Sequence, residues 1–341
     1  MVPSSEDHPE SSPYLGKHTT LSYIIDQNRI WRRIPYLKDN YGRAPPIVLA
    51  VGDRRRVYSI ARRLRNAVFL PESAAVLSRK GYSKKGLPGV AEFGRVAMAI
   101  GMASRSVPIL VVETQMGAPA TQIIMKEILS DQLMSTEYRV GKIKIDMSQK
   151  VVIRVGTAGG INCEGMPEIK VGDVVNATHS IGATGAVIQS LAGLDFWHAS
   201  AIEQFHEKWR SLGALFTFTE DGHPRAECSD DVVDALGNAG KQLAAGTYHQ
   251  GGNITKDSLY VELSLEPFLG LCRKQNCRST EMELSAIAVS AQQSKARFGM
   301  ISAIVGVLPG SFSESERDKS VAEQRALRVA LEAVKRLVLR S

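Results

Sequence analysis

The sequence predicts an α/β fold, a single three-layer domain in which a central mixed β-sheet is flanked by helices. Three observations carry that expectation. From Ile47 onward, short apolar runs rich in β-branched residues alternate with longer amphipathic segments, the pattern of strands and the helices that cover them. No internal repeat and no long linker divides this stretch. A chain of 341 residues, 44% of them hydrophobic, can bury a sizeable core.

Residues 1–45 read as an N-terminal extension, polar and Ser/Pro-rich at first and then, over Leu21 to Asp39, able to dock on the body. Pro45-Pro46 marks the boundary with the domain, 46–341. Within it, strands are expected at Ile47 to Val51, Val96 to Met102, Ile109 to Glu113, Val151 to Val155, Asp173 to Thr178, Tyr248 to Ile254 and Phe298 to Val305. Helices are expected at Arg55 to Leu64, Ala118 to Ser130, Ala199 to Leu212, Ser229 to Ala245 and Met282 to Lys295. A last helix follows the capping pattern Ser313-Glu314-Ser315-Glu316, with Val321, Ala326, Leu327, Val334 and Leu337 at helical spacing.

Composition narrows the function. The longest apolar runs, such as Val107 to Val112, fall far short of the ~20 residues of a membrane span. No apolar run follows a positive charge at the N-terminus, so the expectation is a cytoplasmic protein without a membrane partner. The net charge is +7, with arginines bunched at positions 54, 55, 56, 62, 63 and 65. Their spacing is helical and no aromatic residues are interleaved for base stacking, so no nucleic-acid partner is expected. A positive field equally serves an anionic substrate. Cys163, Cys228, Cys272 and Cys277 lack the spacing of a zinc site and read as reduced structural thiols, with no metal expected.

Three stretches carry chemistry. The strand Ile47 to Val51 runs into Gly52-Asp53-Arg54-Arg55-Arg56 and a helix. A glycine at such a turn brings backbone N–H groups and the positive helix end close to an anion, although many such turns do no more than turn. Val151 to Gly160 places Arg154 inside an apolar strand, with Thr157 and three glycines after it. A charge buried there needs an anion or a core carboxylate as partner, and both readings stand. The hydroxyl of Thr157 could donate to a phosphate oxygen, and the glycines leave room for a flat ring. Glu281-Met282-Glu283 opens the apolar run of the next helix, either as an acceptor pair beside a soft apolar group or as ordinary first-turn acids.

In this order, with Met116-Gly117-Ala118-Pro119 between the first two stretches and Val171-Gly172-Asp173-Val174-Val175 after the second, the chain resembles the nucleoside phosphorylase family, and within it the uridine phosphorylases. The resemblance covers Ile47 to the C-terminal helix, with apparent loop expansions at Arg79 to Met98 and Leu191 to Cys228. It implies phosphate as co-substrate and no cofactor. By matching positions it implies phosphate on Gly52, Arg56, Arg154 and Thr157, ribose on Met282 and Glu283, and catalysis through Arg154 and Glu283. Ala158, Gly159 and Leu259 fall where the base would lie. Arg79 resembles the arginine the family lends across a dimer interface, which implies a homodimer or larger even assembly.

Three matched positions depart from the pattern. Leu263 and Leu265 stand where uridine phosphorylases carry the uracil-gripping Gln and Arg, leaving Gln250, Asn253 or a loop residue to replace them. Val305-Gly306-Val307-Leu308-Pro309-Gly310 holds no acid where purine phosphorylases carry an aspartate. Pro35-Tyr36-Leu37 stands near the family's N-terminal histidine, which reaches a neighbouring subunit's sugar, and Tyr36 is the candidate ribose contact in its place. The expected activity is reversible phosphorolysis of a pyrimidine, uridine-like nucleoside to base and ribose 1-phosphate. Nucleoside hydrolysis, a purine-type phosphorylase and a non-catalytic nucleoside- or phosphate-binding homologue are the alternatives.

Overall fold

The computed structural model describes residues 35–40, 42–69, 96–104, 107–131, 133–140, 143–147, 149–162, 164–182, 217–220, 224–257, 265–310 and 315–339. Arg79, Leu259, the first 34 residues, the expected helix over 199–212 and most of both expected loop expansions lie outside them.

In chain order the elements are α1 (Pro35–Asp39), β1 (Ile47–Val51), α2 (Arg54–Ala61), β2 (Arg65–Phe69), β3 (Met98–Met102), β4 (Pro108–Glu113), α3 (Ala118–Ile128), β5 (Glu137–Val140) and β6 (Ile143–Asp146). There follow β7 (Val151–Ile161), β8 (Val174–Ile181), β9 (Thr217–Phe218), β10 (Pro224–Glu227), α4 (Asp230–Leu243) and β11 (Tyr248–Thr255). The chain then forms α5 (Leu265–Lys274), β12 (Cys277–Glu281), α6 (Leu284–Gln293), β13 (Arg297–Leu308) and α7 (Glu316–Leu339).

Eleven strands form one mixed sheet along the path β2-β3-β4-β1-β7-β12-β11-β8-β10-β9, with β13 pairing both β7 and β8. The pairings β7-β12-β11-β8-β13-β7 return on themselves, so this part of the sheet closes into a small five-stranded barrel. The period of two along a strand explains the layers. On β1, Ile47, Leu49 and Val51 face a core built with Val57 and Ile60 of α2, Leu236 of α4 and Val334 of α7. Val48 and Ala50 face the opposite core, with Met125 and Ile128 of α3 and Ile287 of α6. This is the expected three-layer α/β architecture. Just before β1, Asn40 exchanges hydrogen bonds with the backbone of Arg139 on β5.

Two elements depart from the sequence expectation in ways that build the site. β7 does not stop at Val155 but runs on through Gly156, Thr157, Ala158, Gly159 and Gly160, because β13 and then β12 pair with that glycine-rich half. Glu281 does not begin a helix. It ends β12, and Glu283 is the N-cap of α6.

Among the described residues no helix is long and apolar enough to cross a membrane. Cys228, Cys272 and Cys277 are buried free thiols.

Candidate active site

The ends of β1, β12, β11 and β13 and the middle of β7 enclose a cavity of about 390 Å³, the crevice at strand ends where open α/β sheets hold ligands. Its lining includes Gly52, Arg56, Arg154, Thr157, Ala158, Gly159, Met282 and Glu283. Three segments far apart in the sequence are thus brought to one place. Tyr36 does not line this cavity. It packs against both core layers, and its buried hydroxyl has no partner among the described residues. Burial, reinforced by Tyr138, pushes its pKa up. Asn253 and Gln250 do not line the cavity either: Asn253 is buried against Glu281, and Gln250, at the surface, accepts from the Tyr248 hydroxyl.

At the centre, Arg154 Nη2 donates to Glu283 Oε2 at 2.7 Å, with both side chains buried. The other oxygen of Glu283 accepts from the Gly117 N–H at 2.7 Å, which gives the Met116-Gly117-Ala118-Pro119 turn its part in the site. The sequence left two readings of Arg154, an anion ligand or the partner of a core carboxylate. The core carboxylate is real, and it lines the same cavity. Arg154 Nε and Nη1 are buried and make no hydrogen bond among the described residues. Glycines lie close on both sides of this guanidinium. A Cβ on Gly156 would stand 3.1 Å from Arg154 Cζ, and one on Gly52 would stand 3.4 Å from Nη2.

Glu281 lies behind this pair. Its carboxylate accepts from Asn253 Nδ2 and Thr255 Oγ1, each at 2.8 Å, and from the backbone N–H groups of Glu283 and Leu284. Burial, and then the charge on Glu283, pushes its pKa up to about 7, against the pull of Arg154 and these donors. For Glu283, burial also opposes ionisation, but the Arg154 guanidinium and the Gly117 N–H outweigh it and hold the carboxyl below its ordinary value. The inner carboxyl thus fixes the backbone that aims the outer one, while the outer one carries the charge.

At the β1–α2 turn, Asp53 caps the helix by accepting from the Arg56 N–H at 3.1 Å. The Arg56 side chain reaches back over Gly52, where a Cβ would stand 3.3 Å from Nη1. Two guanidiniums therefore converge on one point of backbone. Arg56 Nη2 donates to Thr157 Oγ1 at 3.4 Å and to Glu323 Oε1 of α7 at 2.6 Å.

The far wall is apolar, with Val305, Val307 and Leu308 of β13 and Leu265 of α5, and Thr280 and Lys256 beside them. Burial lowers the pKa of Lys256, whose Nζ lies 6.0 Å from the centre of the Phe268 ring. Gln115 and Lys256 were not expected in the lining from sequence, whereas Leu265 lies where the resemblance placed a base-gripping residue and Met116 belongs to a stretch that carries the resemblance. Only their place at the ends of β4 and β11 brings Gln115 and Lys256 there. Among the described residues no group of three or more His, Cys, Asp or Glu side chains could hold a metal ion.

Comparison with known proteins agrees with this geometry. No curated protein sequence matches the chain. Among solved structures, it is similar to a purine nucleoside phosphorylase from Toxoplasma gondii in complex with immucillin-H, at 20% identity and a TM-score of 0.58, covering 87% of this chain and 93% of that one. Residues 67–338 match the family model described as the phosphorylase superfamily. Since that match spans most of the sheet and the helices that build the cavity, the chain belongs to the phosphorylase superfamily.

Proposed function

We propose that this chain is a nucleoside phosphorylase that transfers the ribosyl group of a pyrimidine nucleoside to inorganic phosphate. The observation that carries the reading is Arg154, a buried cation that bonds a cavity carboxylate through one nitrogen and whose two other nitrogens have no partner among the described residues. A buried unpaired donor costs about 1–3 kcal/mol, and an anion in the cavity would offset that cost.

In this reading phosphate sits between the turn at Gly52 and the guanidiniums of Arg56 and Arg154, with Thr157 donating to it. Arginine forks suit phosphate because each can present two parallel N–H groups. Glu283 accepts from the ribose hydroxyls and Met282 lines the sugar face. Cleavage of the N-glycosidic bond builds positive charge on the sugar, which phosphate below the ring and the Glu283 carboxylate both stabilise. Phosphate takes the anomeric carbon as the bond to the base breaks, giving ribose 1-phosphate and the free base. No metal, cofactor or side-chain nucleophile enters.

The base lies along Ala158 and Gly159 toward Val305, Val307 and Leu308. No carboxyl on that stretch of β13 is available to protonate a purine, whereas a uracil anion spreads its charge over its own carbonyls. The fold likeness to a purine enzyme supports the purine alternative, so both bases belong in the test. Base release from uridine and from inosine is measured with and without phosphate. Uridine cleavage that requires phosphate is expected, with inosine slower. Equal release in the two media would identify a hydrolase, and a faster inosine reaction would replace the pyrimidine assignment.

A further inference from the structure

Arg56 forms a wall between two cavities. On one side is the candidate active site. On the other is a polar cavity lined by Arg55, Ser59, Lys319, Ser320 and Glu323, and the two share Asp53, Arg56, Thr157 and Val305. The guanidinium is held from the second side. Glu323 Oε1 accepts from both Nε, at 3.3 Å, and Nη2, at 2.6 Å, and Asp53 Oδ2 stands 3.4 Å from Nε. The outer edge of the fork is therefore occupied. The inner edge, Nη1, is turned over Gly52 toward the nitrogens of Arg154.

We propose that Glu323 on the C-terminal helix is the positioning residue of the phosphate site, resting on the phosphorylase reading above. Two guanidiniums brought to one glycine repel each other, and each is matched by its own carboxylate, Arg154 by Glu283 and Arg56 by Glu323. Glu323 offsets that repulsion without standing in the active-site cavity, whose lining does not include it. It also fixes a long side chain that would otherwise lose rotamer freedom on binding phosphate. The C-terminal helix thereby sets phosphate affinity while touching no substrate.

The test is phosphate binding, read from the rise in melting temperature with inorganic phosphate alone, together with KM for phosphate and for nucleoside. Glu323→Ala should weaken phosphate about tenfold, as loss of partners that orient binding groups does at metal sites. KM for nucleoside should move far less. Glu323→Gln keeps an acceptor for Arg56 without the charge and should fall between Ala and wild type. The pair is partly exposed, so both variants should fold and melt close to wild type without phosphate. Unchanged phosphate binding in Glu323→Ala would overturn the assignment. Tighter binding would also overturn it, since Glu323 would then compete with phosphate for Arg56. Wild-type protein that binds no phosphate would instead remove the functional reading beneath it.

Discussion

The molecule holds two arginine–glutamate pairs of nearly the same contact distance, 2.7 Å for Arg154–Glu283 and 2.6 Å for Arg56–Glu323. Their surroundings differ. In the first pair the side chains are 3% and 6% exposed, in the second 18% and 35%. Taking two charges out of water costs several kcal/mol per ion, which their attraction and added hydrogen bonds must offset. Near the surface water already screens both charges, and such a pair contributes about 0–1 kcal/mol. The inner pair is thus a stability element that is also placed for chemistry, and the outer pair aims a side chain at little cost in stability.

The largest effect expected from this contrast is that of Arg154→Met. It strands Glu283 and should destabilise the fold by about 3–5 kcal/mol in chemical denaturation, the range for breaking a buried pair. The sequence alone left this outcome undecided, because nothing in Val151 to Val155 shows that a carboxylate 129 residues away lies against Arg154. Turnover should fall about 10²–10³-fold, the usual cost of removing one charge-stabilising donor. A variant of wild-type stability would break the comparison.

Glu281→Gln comes next. The Glu281 carboxylate accepts from side chains and from two backbone N–H groups, and an amide must turn its own NH2 toward some of these donors. A loss of about 1–3 kcal/mol should follow, the cost of buried donors left unpaired. The same residue sets a pH dependence. Its folded pKa of about 7 lies above the ordinary carboxyl value of 4.5, so between those values the folded state keeps a proton that the unfolded state has released. Stability should fall as pH rises through that window. Glu283 is shifted down, so its contribution is present above the ordinary value and is lost as pH falls below it. Denaturation midpoints from pH 4 to 8 should show the first slope in wild type and not in Glu281→Gln.

The smallest stability effect is expected for Arg56→Met, within about 1 kcal/mol of wild type. Its phosphate KM should nonetheless rise about tenfold or more, since a charge-assisted fork is lost from the anion. A large stability loss with an unchanged KM would reverse the roles given to the two pairs.

How much of this was legible in the sequence depends on what holds each part. β1 is an unbroken apolar run, and its observed bounds are those read from sequence. The Gly52, Arg154 and Glu283 stretches could be recognised because each combines a polar group with a local pattern of strand, glycine or helix start. β12 was missed because Cys277-Arg278-Ser279-Thr280-Glu281 looks like a polar turn, yet all five residues are buried between β7 and β11. A strand whose polar side chains are buried against elements far along the chain, as Ser279 is against Asn253 and Glu281 against Asn253 and Thr255, has no signature of its own. The same reason hid Glu323, which reads as one more exposed charge on a long amphipathic helix. That the Tyr36 ring packs between both core layers was likewise not legible, because a hydroxyl near a motif does not reveal which way its ring turns.

The most direct test of the central claim, that the Arg154–Glu283 pair serves the substrate as well as the fold, is the double variant Arg154→Met, Glu283→Gln. The glutamine can still accept from the Gly117 N–H, and no charge is left stranded, so stability should return to within about 1–2 kcal/mol of wild type. Phosphorus NMR on a mixture with nucleoside and phosphate should then show ribose 1-phosphate from wild type and none from the double variant. A double variant that recovers its stability and forms ribose 1-phosphate at the wild-type rate would contradict the account.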